Sequence, residues 1–196
     1  MNNKVLFLLF CLVVYGAYHH FQQRQVTYGV GEIAPNDPVQ SETNAVDIHL
    51  NGFTLTPLAN YTIKARVLSI QNYSFGVEAE ISPTDLALGW GPMSNELVMR
   101  KIDFSQGDRF FFWHVDSFPI PKKEIETHSA NTHIIPSNDK VRRQLRNIRL
   151  GQVIEIRGYL IEAKLASGWH WRSSLSREDT GAGACELIYV TELDLS

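Results

Sequence analysis

Two residues of this chain have the chemistry of a covalent catalyst. Cys185, preceded by Gly-Ala-Gly-Ala and followed by Glu186, carries a thiol, and His128, in the segment THSANTHIIP, is a base that can take its proton. Ser129, next to His128, offers a hydroxyl to the same base. The neighbouring carboxylate argues the other way: Glu186 raises a thiol pKa, whereas a nucleophile needs it lowered. The alternative use of Cys185 is as a small buried residue beside glycines. His128, His133 and His114 suggest zinc, which needs nitrogen or sulfur ligands converging tetrahedrally, and a five-residue separation within a loop allows this. The spacing is not diagnostic, and Ser129 and Asn131 more simply satisfy backbone groups of such a loop. No cofactor is expected.

Residues suited to binding lie in the same region and beyond it. In WHWRSSLSREDTGAGACE, Trp169 and Trp171 project to one side, and His170 and Arg172 to the other. The polar stretch that follows holds Arg177 and Asp179 before Gly181 and Gly183, which would let backbone amides approach an anion that Arg177 pairs. The alternative is a long hairpin, with Asp179 bonding its own turn and Arg177 held by a carboxylate. In DLALGWGPMS, Trp90 is fixed by two glycines and a proline, either as an exposed anchor for a partner or as a plug at one end of a barrel. Lys140, Arg142, Arg143 and Arg146 form a basic helix face, which either rests on anionic lipid headgroups or is simply solvated.

The elements that must position these groups are mostly strands. Val46, Ile48 and Leu50 alternate with polar residues, Phe53 and Leu55 continue the pattern with a shift, and Tyr61 to Ile70 reads as a longer strand. Phe110 to Val115, Val153 to Leu160 and Leu187 to Val190 are further strands, and Gly158 suggests a bulge or barrel corner. A short helix is expected over about 94–101, with Leu97 and Ile102 inward. A second is capped by Ser137 or Asn138, carries Val141, Leu145 and Ile148 on one face and ends before Gly151. The expected fold is mainly β with one or two short helices (α+β), a small partly open OB-like barrel following an N-terminal transmembrane helix.

The chain's 196 residues suit one domain with appendages. Eighteen basic against 21 acidic side chains argue against a nucleic-acid partner, which would need a strongly basic surface. No charge lies between Lys4 and Arg24 around VLFLLFCLVVYGAY, and no small-x-small cleavage site follows. Residues 1–24 are therefore expected as an uncleaved signal anchor, 25–45 as a linker and 46–196 as the β-rich domain. The single-pass anchor would sit in the inner (cytoplasmic) membrane, with the domain outside the cytoplasm. Cys11 falls in the anchor, so the domain is left with one cysteine and no internal disulfide.

The stretches LALGWGPMS, HSANTHIIPSN and WHWRSSLSREDTGAGACE together resemble a group of uncharacterised membrane-anchored bacterial proteins, over most of residues 60–192. That resemblance implies a bacterial origin and a tethered domain, and it brings no activity, cofactor or catalytic residue. An anchor, a β-barrel, a histidine and a late cysteine are also similar to sortases, whose Cys and His cooperate with an Arg on the following strand. No arginine follows Cys185; the nearest upstream are Arg172 and Arg177. The expected function is a non-catalytic interaction or ligand-binding module of the envelope with a protein partner there. The alternative is a hydrolase or transpeptidase using Cys185 or Ser129, or a metal-dependent enzyme.

Overall fold

The computed structural model describes residues 5–7, 10, 11, 13, 14, 16, 24–179, 181 and 183–195. The expected membrane segment falls largely outside these, and among the described residues no helix is long and apolar enough to cross a membrane. Strands make up 42 % of the described residues, so strand pairing sets the architecture. They are β1 (Val39–Ser41), β2 (Ile48–Leu50), β3 (Phe53–Asn72), β4 (Thr84–Gly89), β5 (Asp103–Gly107), β6 (Phe110–His114), β7 (Ser129–Pro136), β8 (Val153–Lys164), β9 (His170–Arg172) and β10 (Glu186–Leu195). Three short helices interrupt them: α1 (Glu96–Met99), α2 (Lys122–Thr127) and α3 (Asp139–Leu145).

The 20-residue β3 organises the sheet. Residues from Thr54 to Arg66 pair with β8 and those from Arg66 to Asn72 with β4, so one strand has neighbours on both edges. It can do so because it bends. Register shifts fall between Pro57 and Ala59 and between Val67 and Ser69, and a proline lacking its N–H is tolerated at such an irregularity. From β4 the pairing passes to β7, β10 and β8 and returns to β3, a mixed sheet that is partly ring-like, with β7 and β10 parallel. Gly158 is where β10 leans onto β8. A Cβ there would stand 2.0 Å from the Tyr189 carbonyl, beside the register shift between Val190 and Glu192. The bulge expected from that glycine lies on its partner strand.

Alternation along the ring strands buries one apolar face of each. Tyr61, Ile63 and Ala65 of β3, Leu86 and Leu88 of β4, Ile134 of β7, Ile156 of β8 and Ile188 of β10 form the largest core cluster. Each such leucine or isoleucine contributes about 1.5–3 kcal/mol relative to exposure. Val141, Leu145 and Ile148 pack against this cluster, and Asn138 caps their helix by accepting from the Val141 N–H at 3.0 Å. Both features follow the sequence expectation. The opposite faces are covered as well: Phe53, Ile135 and Leu187 with Trp169 and Trp171 on one side, and Leu68, Met93 and Ile125 with Phe111 and Trp113 under the β5–β6 hairpin.

Three expectations change. Residues 128–136, expected as a loop, are for the most part strand β7. Its polar positions interrupt the apolar pattern, yet every residue from Asn131 to Pro136 is buried. The early helix starts two residues later, after Asn95, whose side chain accepts from the Leu97 N–H. This turns Val98 and Met99 inward and leaves Leu97 half exposed at 51 %. Residues 25–45, expected as a spacer, lie along the domain. The Val26 N–H donates to Leu150 O, the Gly91 N–H to Ala34 O, and Val39–Ser41 pair with β3. Gly151, with φ +79, is required for this contact, since a Cβ there would stand 2.2 Å from Val26 O.

Candidate functional site

A cavity of about 170 Å³ opens between the stretch 176–186 and the β5–β6 hairpin. The N-terminal end of β7 supplies Ser129 and Asn131 to its lining, the residue after β4 supplies Trp90, and the stretch leading into β10 supplies Arg177, Asp179 and Cys185. These six candidates, drawn from three separate sequence segments, are thus brought together. Phe110, Phe111 and Trp113 of β6 add an aromatic wall, and Glu126 and Glu186 add carboxylates.

Register decides which groups meet. In the parallel β7–β10 pair, Glu186 lies opposite Thr132, and so takes the core-facing side with Ile134 and Ile188. Arg177 comes to it from the preceding loop, its Nη1 3.1 Å from Glu186 Oε1 and its guanidinium carbon 5.3 Å from the Tyr61 ring centre. The Arg177–Glu186 contact is an ion pair rather than an aligned hydrogen bond, and among the described residues neither Arg177 Nη1 nor the buried Glu186 Oε2 has a hydrogen-bond partner. Burial pushes the Glu186 carboxyl up to about 7, against the opposing pull of Arg177. Asp179 accepts from Ser174 Oγ at 2.6 Å, and Arg177 Nε donates to Ser176 O at 2.7 Å, so the loop is tied by its own side chains.

Cys185 takes the opposite face of β10. Its sulfur lies 3.8 Å from Asn131 Nδ2 and 3.9 Å from the Arg109 carbonyl. Burial pushes the thiol up to about 11. His128 is engaged elsewhere: Nδ1 is 3.2 Å from a Glu124 carboxylate oxygen and the ring packs 6.3 Å from that of Trp90. Ser129 Oγ donates to Ile125 O at 2.6 Å. Neither Ser129 nor Cys185 is therefore paired with His128, whose Nδ1 instead meets the Thr127 hydroxyl at 3.2 Å.

The remaining candidates lie outside the cavity lining. His133 sits opposite Asp85 in the β4–β7 ladder, Nδ1 2.9 Å from Asp85 Oδ1, with its ring 4.5 Å from that of Trp171. Asp85 also receives Arg109 Nη1 at 2.7 Å. His114 is exposed beside Asp116. The three histidines are thus held by three different sets of partners, and among the described residues no group of three or more His, Cys, Asp or Glu is placed to hold a metal. Arg172 pairs with Glu162 at 3.1 Å on an exposed strand. Lys140, Arg142, Arg143 and Arg146 are all exposed, on the side of α3 away from Val141 and Leu145.

Trp90 corrects the expectation of an exposed anchor. It is 1 % exposed, belongs to the main core, and donates Nε1–H to Asp37 Oδ1 at 3.1 Å.

Comparison with protein families, curated proteins and solved structures found no match. The site must therefore be read from its own chemistry. Sequence reasoning missed Arg109, Asp85 and the wall formed by β6, because each acquires its place only when the hairpin folds over β4 and β7. Glu186 was visible, but only as a neighbour of the thiol; its position opposite Thr132 carried the missing signal.

Proposed function

We propose that this chain is a non-catalytic ligand-binding module of the bacterial envelope, built on an OB-type barrel and held at the inner membrane by residues 1–24, with the domain outside the cytoplasm. One observation carries the binding part: the end of β4, the start of β7 and the loop before β10 converge on a single cavity. In a five-stranded OB barrel, ligands contact the second and third strands and the loop between the fourth and fifth. With β3 as the first strand, these are β4, β7 and residues 165–185. The ring pairing, the parallel β7–β10 contact and α3 between β7 and β8 favour that assignment. Among the cavity residues, one guanidinium faces three carboxylates, which disfavours nucleic acid.

The membrane part is supported by the uncharged run between Lys4 and Arg24. The exposed basic face of α3 would rest on anionic headgroups only in the opposite orientation, with the domain facing the cytoplasm. Against a cysteine enzyme stands a thiol whose neighbours are an amide and a carbonyl, and whose pKa is raised by burial.

Native mass spectrometry of the full chain purified from its own membranes tests the reading. A small molecule that co-purifies and is lost in the cavity-filling variant Ala184→Phe supports it. A covalent acyl fragment on Cys185 or Ser129 would replace it with the hydrolase or transpeptidase alternative. An empty protein that binds no small molecule when offered a metabolite extract would remove the binding function.

A further inference from the structure

We infer that the cavity takes a short extended peptide, added to the free edge of β6 as a third strand of the β5–β6 hairpin; this rests on the reading of the cavity as a ligand site. β6 pairs with β5 alone. Its two-residue turn, Asp108–Arg109, makes Gly107 and Phe110 a hydrogen-bonded pair, and bonded pairs then recur at Ser105–Phe112 and Asp103–His114. The N–H and C=O groups of Phe111 and Trp113 therefore point away from β5, and no described residue bonds them.

The cavity lies along that edge. Neighbouring residues of a strand turn their side chains to opposite faces. Phe110 is 43 % exposed and Phe111 packs under the hairpin, yet both line the cavity, and no residue of β5 does. Exposed edges are usually blunted by lysine, proline or a bulge. Phe110–His114 contains neither residue, and its pairing with β5 runs without a register shift. On the far side of the cavity, Gly181 and Ala184 bring no long side chain to fill the gap. An extended backbone supplies donors and acceptors at strand spacing, which a phosphate or a sugar does not. Phe111 and Trp113 lie roughly 7 Å apart at the strand rise, so a guest of about three residues bonds both. A volume of about 170 Å³, well below the roughly 300–1,000 Å³ of drug-sized sites, agrees with a guest that short.

Amide hydrogen exchange of the full chain in detergent micelles, read by NMR, tests this. The probe is a pool of N-acetyl tripeptide amides, Ala-Xaa-Ala, with every residue type at the middle position. Saturating peptide should slow exchange at Phe111 and Trp113 about tenfold and leave Phe112, already bonded to β5, unchanged. The same pool N-methylated on its backbone should bind about tenfold more weakly. Ala184→Phe should abolish the protection while exchange in β3 and β8 stays as in the native chain. Peptide bound without protection of Phe111 and Trp113, or equally well when N-methylated, would overturn strand addition and leave the ligand site standing. So would a compound retained from a metabolite extract with no tripeptide bound at about 1 mM. Neither kind of guest bound would remove both the peptide and the site. Protection that rises with protein concentration alone would give the edge to a second copy and overturn the inference.

Discussion

Arg109 Nη1 sits 2.7 Å from Asp85 Oδ1, joining the tip of the β5–β6 hairpin to the start of β4. Asp85 is fully buried, and the guanidinium is also stacked 3.7 Å from the Tyr73 ring centre. Arg109 and Asp108 occupy the hairpin turn with φ of +67 and +51, a primed turn that usually takes glycine or asparagine. A long cation therefore occupies a conformation that disfavours it, held there by what its side chain touches. This contact closes the aromatic wall over β7.

Replacing Arg109 with Ala should destabilise the domain by about 3–5 kcal/mol, because the buried Asp85 carboxyl is left with only His133 facing it. Arg109→Gly should lose the same pair but regain about 1 kcal/mol from the relieved backbone. Chemical denaturation of the two variants checks this. A glycine variant less stable than the alanine variant would contradict the account of the turn.

The Cys185 thiol, pushed up to about 11, should alkylate at pH 7.5 roughly 300-fold more slowly than an unperturbed cysteine. Maleimide labelling of the folded chain measures this, with the Cys11→Ser variant isolating Cys185. Rapid labelling at neutral pH that disappears in His128→Ala would favour the enzyme.

Glu186 should make stability fall as pH rises. Its carboxyl is raised from 4.5 to about 7 by burial, so between those values the folded state holds a proton that the unfolded chain has lost. Its contribution is complete below about 4.5 and gone above about 7, on the order of 3 kcal/mol in all. The groups that act on it are Arg177 and Asp179, and it in turn raises Tyr61 and Cys185. Denaturation midpoints from pH 4.5 to 8 should flatten in Glu186→Gln relative to the native chain. Parallel curves would assign the slope to other groups.

Trp90→Ala should cost about 3–5 kcal/mol as a large core truncation, so loss of function in that variant would not mark a docking site. Asp37→Ala, which removes the Nε1 acceptor and the 3.9 Å contact with His128 Nε2, should cost about 1 kcal/mol and release residues 25–45 to proteases. Thermal melting with limited proteolysis separates the two. Equal protease resistance of native chain and Asp37→Ala would show that this bond does not hold the segment.

The strands were largely legible: alternation from Tyr61 to Val67 turns Tyr61, Ile63, Ala65 and Val67 to the main core, and the apolar run Leu187 to Val190 is buried on both faces. The third helix was legible from Asn138, Val141 and Gly151. β7 was hidden because Asn131 and His133 break its apolar run, and nothing local reveals that Gln106 and Arg109 would bond Asn131 or that Asp85 would face His133. Trp90 misled for a related reason: glycines and a proline around an aromatic residue describe a rigid turn and are silent on what covers it. Residues 25–45 have the composition of a spacer, and their attachment depends on backbone bonds to Leu150 and Gly91, which composition does not encode.

That attachment determines reach. With the Val26 N–H already bonded to Leu150 O, almost no free chain separates the domain from the first 24 residues. Whatever holds those residues holds the β-rich domain on a stub rather than a leash. A domain so attached does not sweep a wide volume around its attachment. It meets what comes to one spot in one orientation, and two copies held side by side would present their cavities at a fixed angle.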